Sequence, residues 1–475
     1  MALSASTIWE VRPTVGSDTN GGAFVAGGSG TDYSQQSSTN TSGVNISTTD
    51  GVGNGTTTWT SATGNFTSAL VDNLIYLSGT GITTGWYWVT AVGSSTSITL
   101  DRSPGTGTGA TMNIGGALAT ISAAFGPIVS GNTVYVKNTG TYTVTTTLGI
   151  GSLTAIAVIS YGTTRGDGGV TLWTTATNST PLINANGSSA LAVQFLNFSF
   201  SNTATTRSLG LTVTQAGYAA WLFQNCTFDG FTTAIQDDWN IAWQLLSLVL
   251  IDCEIKNCSD KGINSSGNTL LFGCYIHSCT TAGLYMETPQ NNPTYIFDRC
   301  VFAACGNGVN FANTQNTTVH ITNSGFYNNT SAGFLASSGT GAWRSYVFTN
   351  NIFYGNGTYG IDFAAVSGSP ISAFVQSNAF GSNTSGARNS FPYGSSADVS
   401  LSANPFTNAG SDDFSLNSTA GGGTACKGAG DQGALNGAGS GAIDIGPVQS
   451  ASGGGGGTTN YIIGKNITQV FTEGY

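Results

Sequence analysis

The sequence predicts an all-β protein in which short strands recur in stacked, similar coils, and three observations lead to that prediction. Only 7% of the 475 residues are charged, while 68 are glycine. Val, Ile, Thr, Phe and Tyr, which favour strands, recur in short runs between Gly and Asn. A template of about 26 residues repeats along the middle of the chain, and a repeat of that length is typical of a solenoid.

Composition excludes several classes of function. The formal net charge is −10, and the twelve Lys and Arg residues are scattered singly, so nucleic acid is not an expected partner. No stretch approaches 18 consecutive apolar residues, so no membrane span is predicted. The opening MALSASTIWEVRP lacks a basic region followed by an apolar one, so no Sec signal peptide is expected.

The repeat is defined by columns of equivalent residues. The first column holds a small or polar residue in most repeats: Phe198, Cys226, Cys253, Cys274, Cys300, Ser324, Asn351 and Asn378. Two positions further on, every repeat has an apolar residue: Phe200, Phe228, Ile255, Ile276, Phe302, Phe326, Phe353 and Phe380. The second column is therefore predicted to face a continuous core.

Two further columns complete the repeat. One holds Cys258, Cys279, Cys305, Asn329, Asn356 and Asn383, and the other holds Gly262, Gly283, Gly308, Gly333, Gly360 and Gly386. Each repeat thus consists of strand, bend, strand, bend, Gly and a third strand. One repeat has too few apolar residues to bury its own face, so successive repeats must stack.

This repeat resembles the right-handed parallel β-helix (pectate-lyase-like) family, and TNNIFYGNGTYGI (349–361) is similar to its pattern almost position by position. The resemblance covers roughly residues 118–448. It implies a capping helix and first coil within 119–144, and closing coils from DDFSLNSTAGGGTACKGAG (412–430) to AIDIGPVQS (442–450). The family includes lyases, hydrolases, adhesins and phage spikes, so the resemblance implies architecture more than function.

Three segments are expected along the chain. Residues 1–117 lack the repeat and are predicted to form a β-rich attachment domain with hairpins such as GWYWVTAV followed by TSITLDRS. Residues 118–450 are predicted to form the β-helix. Residues 451–475 begin with a Gly-rich linker and continue as YIIGKNITQVFTEGY, an alternating segment predicted to dock on another chain. Its apolar docking residues are Tyr461, Ile462, Ile463, Val470 and Phe471.

The eight cysteines could form disulfides or bind a metal. Most lie in the two bend columns, where coil stacking would separate neighbours by ~4.8 Å, longer than the ~3.8 Å between the Cβ atoms of a disulfide. Buried free thiols are therefore expected. Zinc is the alternative, because Cys253 with Cys258 and Cys274 with Cys279 form two C-x₄-C pairs. No metal and no cofactor is predicted.

The candidate enzymatic residues are two acids. Asp238 lies in the insertion QDDWNIAWQ (236–244), and the repeat places it in one outward column with Glu287, two coils or ~9.6 Å away. Inverting glycosidases hold their two carboxyls at about 6.5–9.5 Å. Trp239, Trp243 and Tyr285 are the candidate ligand-binding residues, since exposed aromatic rings near acids often contact sugars. The other interpretation is a Trp-bearing loop that packs on a neighbouring subunit.

Histidine and the remaining charges give weaker signals. Asp229, Lys256 and His277 fall on successive coils in one outward column, and a surface ion pair is the expected interpretation. Neither His277 nor His320 has a Ser or Cys partner and a third orienting group at a recognisable spacing. A triad formed in space stays open, because spatial neighbours are invisible to sequence.

The favoured function from sequence is structural. The opening TIWEVRPTVGSDTNGGAF, followed by a β-helix, resembles proteins encoded by tailed phages and viral metagenomes. That resemblance implies a virion structural protein of the spike, fibre or head-decoration type, a rigid rod at the virion surface or outside the cell. Its expected partners are other virion proteins, identical subunits in a homo-oligomer such as a trimer, and cell-surface glycans. The alternatives are a polysaccharide depolymerase, and an adhesin or extracellular filament subunit.

Overall fold

The structure is a computed structural model, and it describes most of the chain outside a set of loops and the C-terminal arm. The described residues are 3–36, 47–144, 147–151, 153–175, 181–185, 191–204, 207, 209–213, 219–237, 246–287, 293–312, 316–337, 344–366, 371–391, 394–431 and 443–449. The chain divides into two compact units, one made of 1–144, 150–174 and 189–199 and the other of 145–149, 175–188 and 200–475.

Strands dominate the first 202 residues, with short helices between them. They are β1 (Thr7–Val11), β2 (Ala23–Val25), β3 (Ser47–Asn54), β4 (Thr58–Thr60), β5 (Leu74–Ser78), β6 (Gly85–Ser94), β7 (Ser97–Leu100), β8 (Thr106–Ile114), α1 (Ile121–Phe125), β9 (Thr133–Lys137), β10 (Tyr142–Val144), β11 (Leu148–Ile150), β12 (Ile156–Tyr161), β13 (Thr171–Thr175), β14 (Ile183–Ala185), β15 (Leu191–Leu196) and β16 (Phe198–Asn202). A 3-10 turn occupies Ser68–Leu70.

The described residues after 202 are also mostly in strands. The elements are β17 (Leu211–Val213), β18 (Ala219–Gln224), β19 (Thr227–Asp229), β20 (Thr233–Asp237), β21 (Leu246–Ile251), β22 (Glu254–Lys256), β23 (Lys261–Ser265), β24 (Asn268–Phe272), β25 (Tyr275–His277), β26 (Ala282–Met286), β27 (Thr294–Asp298), β28 (Val301–Ala303), β29 (Asn307–Phe311), β30 (Thr317–Thr322), β31 (Gly325–Tyr327), β32 (Phe334–Ala336), β33 (Arg344–Thr349), β34 (Ile352–Tyr354), β35 (Tyr359–Asp362), β36 (Ile371–Gln376), β37 (Ala379–Gly381), β38 (Gly386–Asn389), β39 (Val399–Ser400), β40 (Phe406–Asn408), β41 (Asp413–Leu416) and α2 (Gly423–Cys426). A second 3-10 turn occupies Ala409–Ser411.

The first unit contains a closed antiparallel barrel, in the order β3-β4-β7-β6-β5-β8. Strands β6 and β7 pair antiparallel with Val92 opposite Ile98, so the hairpin predicted from sequence is confirmed. Alternate residues point inward and build a core that includes Trp59, Ile75 and Met112, each fully buried.

The first unit also contains parallel strands that precede and follow the barrel in sequence. Strand β1 pairs in parallel with β9, and β9 pairs in parallel with β12. Sequence analysis assigned residues 7–11 to the attachment domain, but the structure places them in a solenoid sheet. The reason is local: Trp9 is fully buried, and its Nε1 donates to Asn132 Oδ1 at 3.1 Å.

The second unit is a stack of coils with three parallel sheets. The first sheet runs β18-β21-β24-β27-β30-β33-β36, the second β19-β22-β25-β28-β31-β34-β37-β39, and the third β14-β17-β20-β23-β26-β29-β32-β35-β38. Each coil contributes one strand to each sheet, and each strand pairs with its equivalent in the next coil. The predicted repeat is therefore the structural repeat.

The inward column of the second sheet forms a stack of phenylalanine rings. Ring centroids are 5.2 Å apart for Phe302 and Phe326, 4.6 Å for Phe326 and Phe353, and 5.1 Å for Phe353 and Phe380. The planes are nearly parallel because the sheet repeats each side chain at one strand spacing, ~4.8 Å. The prediction that this column faces the core is confirmed.

The two bend columns change from cysteine to asparagine along the stack. In the later coils the asparagines form buried ladders, in which Asn329 Nδ2 donates to Asn356 Oδ1 at 2.9 Å and Asn356 Nδ2 donates to Asn383 Oδ1 at 2.8 Å. In the earlier coils the thiols donate to backbone carbonyls, as Cys253 Sγ does to Phe223 O at 3.3 Å. Both residue types thus satisfy polar groups at a buried bend.

Glycines in the third-sheet column allow adjacent coils to approach closely. A Cβ on Gly308 would lie 2.6 Å from Gly333 O, and one on Gly333 would lie 2.8 Å from Gly360 O. These separations are shorter than van der Waals contact, so a larger residue would force the coils apart. The predicted Gly column follows from this close approach.

The C-terminal segment corrects one prediction. Residues 412–430 and 442–450 were expected to form closing coils, but the part described, to residue 449, lies across the outer face of the second sheet instead. Strands β40 and β41 pair antiparallel as a separate hairpin. Phe406, Phe414 and Ile445 pack there with apolar sheet residues. The reason is that the outward positions of these strands are themselves apolar and need cover.

Candidate active site on the second sheet

The outer face of the second sheet in the second unit has an apolar half and a polar half. The apolar half lies beneath the C-terminal segment and includes Val301, Ala303, Ile352 and Ala379, which pack in one cluster with that segment. The polar half lies on β19, β22 and β25, and its outward residues are Thr227, Asp229, Glu254, Lys256, Tyr275 and His277. Charged and titratable side chains therefore gather where the cover ends.

Glu254 is the centre of the polar half. Its Oε2 lies 2.9 Å from Lys256 Nζ on the same strand, and its Oε1 lies 3.2 Å from His277 Nε2 on the next coil. The hydrogen bond from His277 is the largest cause of a lowered pKa for Glu254, and Lys256 adds to it against the opposing effect of burial. Glu254 is consequently a stable carboxylate at neutral pH.

His277 is held on both ring nitrogens and on one face. Its Nδ1 lies 3.1 Å from Ser278 Oγ, while its ring stacks on Tyr275 with centroids 4.1 Å apart and an interplanar angle of 14°. An ionised Glu254 accepts a hydrogen bond from Nε2–H, which leaves Nδ1 of the neutral ring as an acceptor for the Ser278 hydroxyl. The network therefore selects one tautomer of His277.

Tyr275 connects this cluster to the C-terminal segment. Its hydroxyl donates to Asp412 Oδ1 at 2.6 Å, and its ring packs edge-on against Phe414 at 5.3 Å between centroids. Burial, followed by the hydrogen bond to Asp412, raises the pKa of Tyr275. Tyr275 is thus a neutral support for the imidazole ring and has no free proton to exchange.

A groove of about 550 Å³ lies beside the cluster, and Ser278 is among its lining residues with Arg207, Asp229, Asn257, Ser259 and Thr280. Asn257 Nδ2 donates to Asp229 Oδ1 at 2.8 Å, and the Arg207 guanidinium donates to the Asn257 carbonyl. The walls are mostly neutral hydrogen-bonding groups with one cation and one carboxylate. Such walls suit a hydroxyl-rich ligand.

The structure separates the sequence-predicted charge ladder into two pairs. Asp229, Lys256 and His277 are level on adjacent strands, as the repeat predicts. The three do not pair with one another, however, because Lys256 and His277 both bind Glu254 while Asp229 binds Asn257. The ion pair expected within this ladder is therefore not formed, and Lys256 pairs with Glu254 instead.

Two of the residues predicted to be catalytic or ligand-binding, Tyr285 and Glu287, lie on or directly after the third sheet rather than on the second. Tyr285 is on the outward face of the third sheet between Asn264 and Asn310, with Lys261 Nζ 4.6 Å from its ring centroid. Glu287 follows directly after β26, and its backbone N donates to Ser265 O at 2.9 Å. Asp238, Trp239 and Trp243 lie outside the described residues, so the predicted pairing of Asp238 with Glu287 stays a prediction.

Sequence reasoning missed Glu254 and Ser278. Glu254 could have been found from the sequence. It lies two residues before Lys256 on the same strand, and residues two apart on a strand point to the same face of the sheet. Ser278 could not have been found, since its contact with His277 depends on the bend that follows β25, where Ser278 has a φ of 56°. The structure brings the Ser278 hydroxyl, the His277 ring and the Glu254 carboxylate into contact, which the sequence spacing does not show.

The cysteines do not form a metal site in the part of the chain that the structure describes. All eight are buried, and none of them forms a disulfide bond. Among the described residues there is no group of three or more His, Cys, Asp or Glu side chains placed to hold a metal ion. No helix within those residues is long and apolar enough to cross a membrane.

Comparisons with known proteins agree with the architecture. The family described as "Right handed beta helix region" matches residues 181–380. A crystal structure of pectate lyase Pel9A is similar with 16% identity and a TM-score of 0.50, and the match covers 70% of this chain and 91% of that one. The fold is therefore all-β and contains a right-handed parallel β-helix.

Other similarities are more distant. The periplasmic alginate epimerase AlgG is 12% identical over 56% of this chain and 76% of its own, with a TM-score of 0.30. The A-module of the Azotobacter vinelandii mannuronan C-5 epimerase AlgE6 is 13% identical over 57% of this chain and 91% of its own, with a TM-score of 0.29. No curated protein matches the sequence.

Proposed function

We propose that this protein is an enzyme that acts on polysaccharides and that its active centre is the polar half of the second sheet with the adjoining groove. One observation carries the proposal: a titratable imidazole, held by a carboxylate on one nitrogen and a hydroxyl on the other, stands beside a groove lined by sugar-compatible groups. Structural roles alone do not need a proton-transfer group positioned in this way.

The groove has the size and chemistry to hold sugar residues. Its volume of about 550 Å³ falls within the usual range for a ligand site, about 300–1,000 Å³. Exposed hydroxyl and amide groups, such as Thr280, Ser259 and Asn257, can exchange hydrogen bonds with sugar hydroxyls. Arg207 adds a permanent cation, which would favour a carboxylated or otherwise anionic glycan.

His277 is the proton-transfer group of the proposed site. Histidine is the side chain whose ordinary pKa best matches transfer at neutral pH. Glu254 orients the ring and stabilises the imidazolium that forms when Nδ1 takes a proton. Lys256 holds Glu254, so it is a positioning residue that acts through the carboxylate.

This proposal favours the polysaccharide depolymerase, an alternative from the sequence analysis, over the virion structural protein that the sequence analysis favoured. A polysaccharide depolymerase belongs to the class proposed here, and the pectate lyase that shares the fold belongs to it as well. The virion structural role, and the adhesin or filament role, stay predictions from sequence. A virion origin has no support among the comparisons.

The test is a panel of neutral and anionic polysaccharides incubated with the full-length protein. Products are followed by mass spectrometry and size-exclusion chromatography, which detect loss of substituents and chain cleavage respectively. We expect at least one glycan to be modified, with the rate lowered roughly 10²–10⁴-fold by His277→Ala.

Two comparisons make the test specific. Arg207→Ala should weaken glycan binding in affinity electrophoresis while leaving the thermal unfolding temperature unchanged. His320→Ala removes a histidine on the outward face of the first sheet, away from the site, and should leave the rate unchanged. A panel with no modified glycan, or equal rates for His277→Ala and the parent protein, would overturn the proposal.

A further inference from the structure

The geometry points to a serine esterase centre in which Ser278 is the nucleophile, His277 the base and Glu254 the orienting acid, and the substrate is a carboxylic ester carried by a glycan. The glycan part of this inference rests on the function proposed above. The ester chemistry rests on the three side chains alone.

The three side chains form a continuous relay. Ser278 Oγ lies 3.1 Å from His277 Nδ1, and His277 Nε2 lies 3.2 Å from Glu254 Oε1. Both distances lie within the usual hydrogen-bond range between a nucleophile and its base, about 2.6–3.2 Å. Hydroxyl, imidazole and carboxylate in this order are the parts that activate serine in unrelated hydrolases.

Protonation states follow from the neighbours. Glu254 is ionised, since His277 and Lys256 both lower its pKa. The carboxylate therefore fixes the proton of neutral His277 on Nε2, and Nδ1 faces the serine hydroxyl with its lone pair. Tyr275 stacks on the ring from beneath and limits its rotation. The base is thus oriented before any substrate binds.

Access distinguishes Ser278 from a structural serine. Ser278 is exposed, and it lines the same groove as Arg207 and Thr280. Guanidinium N–H groups and a hydroxyl are donors that can bind the oxygen of an ester carbonyl and the negative charge that develops on it. An ester group presented from a chain in the groove would therefore meet a nucleophile and donors together.

The reaction balances with water as the second substrate. Ser278 Oγ bonds to the ester carbonyl carbon while His277 Nδ1 takes the hydroxyl proton. The carbon–oxygen bond of the ester then breaks, and the sugar hydroxyl leaves with that proton. Water attacks the resulting acyl-serine with His277 again as base, which releases a carboxylic acid and restores Ser278.

A second serine in the same structural position provides a matched control. Ser382 occupies the equivalent bend, four residues before the next third-sheet strand as Ser278 is, with a φ of 51° against 56° for Ser278, and it is also exposed. The residue before it is Gly381 rather than histidine. Backbone geometry and exposure are shared, so a difference in reactivity would come from the relay.

The experiment treats the full-length protein with a fluorophosphonate probe and maps the modified residue by peptide mass spectrometry. Hydrolysis of p-nitrophenyl acetate and release of acetate from O-acetylated polysaccharide are measured in parallel. We expect the probe on Ser278 and not on Ser382, and we expect Ser278→Ala to lower ester hydrolysis at least roughly 10²-fold. Ser382→Ala should match the parent protein.

Glu254→Gln tests the positioning role through the pH profile. Loss of the carboxylate should lower the rate and shift the acidic side of the pH–rate curve, where protonation of the general base limits the rate. Replacing a purely structural residue would not produce that shift. Probe labelling of Ser278 and Ser382 to the same extent, or ester hydrolysis unchanged in Ser278→Ala, would overturn the inference. Glycan modification that depends on His277 but not on Ser278 would leave the proposed function standing while this inference fails.

Discussion

Arg165 Nη2 lies 2.7 Å from Glu10 Oε2, although 155 positions separate the two residues in the sequence. The Glu10 side chain is fully buried, and its other oxygen accepts from Arg12 Nε at 2.9 Å and contacts the Tyr161 hydroxyl. Arg165 also reaches Asp32 at 3.1 Å. The buried carboxylate of Glu10 and the guanidinium of Arg165 thus together join three segments of the first unit.

Glu10 should be essential for the stability of the first unit. Glu10→Gln keeps the shape of the side chain but leaves Arg12 and Arg165 without their buried counter-charge. Removing one partner of a buried ion pair costs about 3–5 kcal/mol, so the free energy of unfolding measured in urea should fall by that amount. Asp260→Asn, which removes a partly exposed partner of Lys261, is the control and should change stability by less than about 1 kcal/mol. If both variants lowered the free energy of unfolding equally, the buried network around Glu10 would not be essential for stability.

The asparagine ladder should be sensitive at Asn356. Its side chain is fully buried and bonds Asn329, Asn383 and the Phe326 carbonyl, so Asn356→Ala leaves several buried groups unpaired. Each unpaired group costs about 1–3 kcal/mol, and denaturant unfolding should report at least one such loss. Thr330→Ala, at an exposed position beside the ladder, should change stability by less than about 0.5 kcal/mol. A neutral Asn356→Ala would mean that water replaces the ladder.

The cysteines should resist thiol reagents in the native state. Burial raises the pKa of Cys253 and of Cys300. These thiols are therefore shielded from the reagent and are not in the reactive thiolate form. Mass spectrometry after treatment with iodoacetamide should show no modified cysteine until denaturant is added. An engineered Thr330→Cys, exposed at the surface, should label rapidly under the same conditions. Native labelling of the cysteine columns would contradict the buried arrangement.

Glu254 should make stability depend on acid. Its pKa is lowered in the folded protein, so its contribution is present above the unfolded pKa of about 4.3 and is lost as pH falls through the lower, folded pKa. The carboxylate is partly exposed, so the effect should stay below about 1 kcal/mol. Urea unfolding of the parent and of Glu254→Gln should differ at pH ~6 and converge at pH ~3. If the free energies of unfolding of the two proteins differed by the same amount at every pH in that range, the difference would come from packing rather than from the charge of Glu254.

The role of the C-terminal arm in assembly stays a prediction from the sequence. Residues 451–475 lie outside the described residues, and the prediction rests on the alternating segment with Tyr461, Ile462, Ile463, Val470 and Phe471. Deleting 451–475 should abolish self-association measured by light scattering. A variant with Ser in place of each of these five apolar residues separates loss of side-chain contacts from loss of length. Unchanged assembly in both would remove the docking role.

Sequence predicted the interior better than the surface. The phenylalanine column from Phe302 to Phe380 and the asparagine ladder through Asn356 were both predictable, since a residue that must face inward recurs at every coil. The C-terminal segment was not, because Phe406 and Phe414 cover a sheet face that is apolar only in the later coils. The hairpin of β40 and β41 follows no repeat.

What the sequence alone determined about this protein is its coil: the period, the inward columns and the bends, all of which come from local patterns that stacking multiplies. Tertiary structure alone decided where Glu254, His277 and Ser278 meet and how Glu10 finds Arg165. The physical reason is that a coil is specified by residues close in sequence, whereas a site is specified by which outward side chains the stacking and the covering segment leave side by side and exposed.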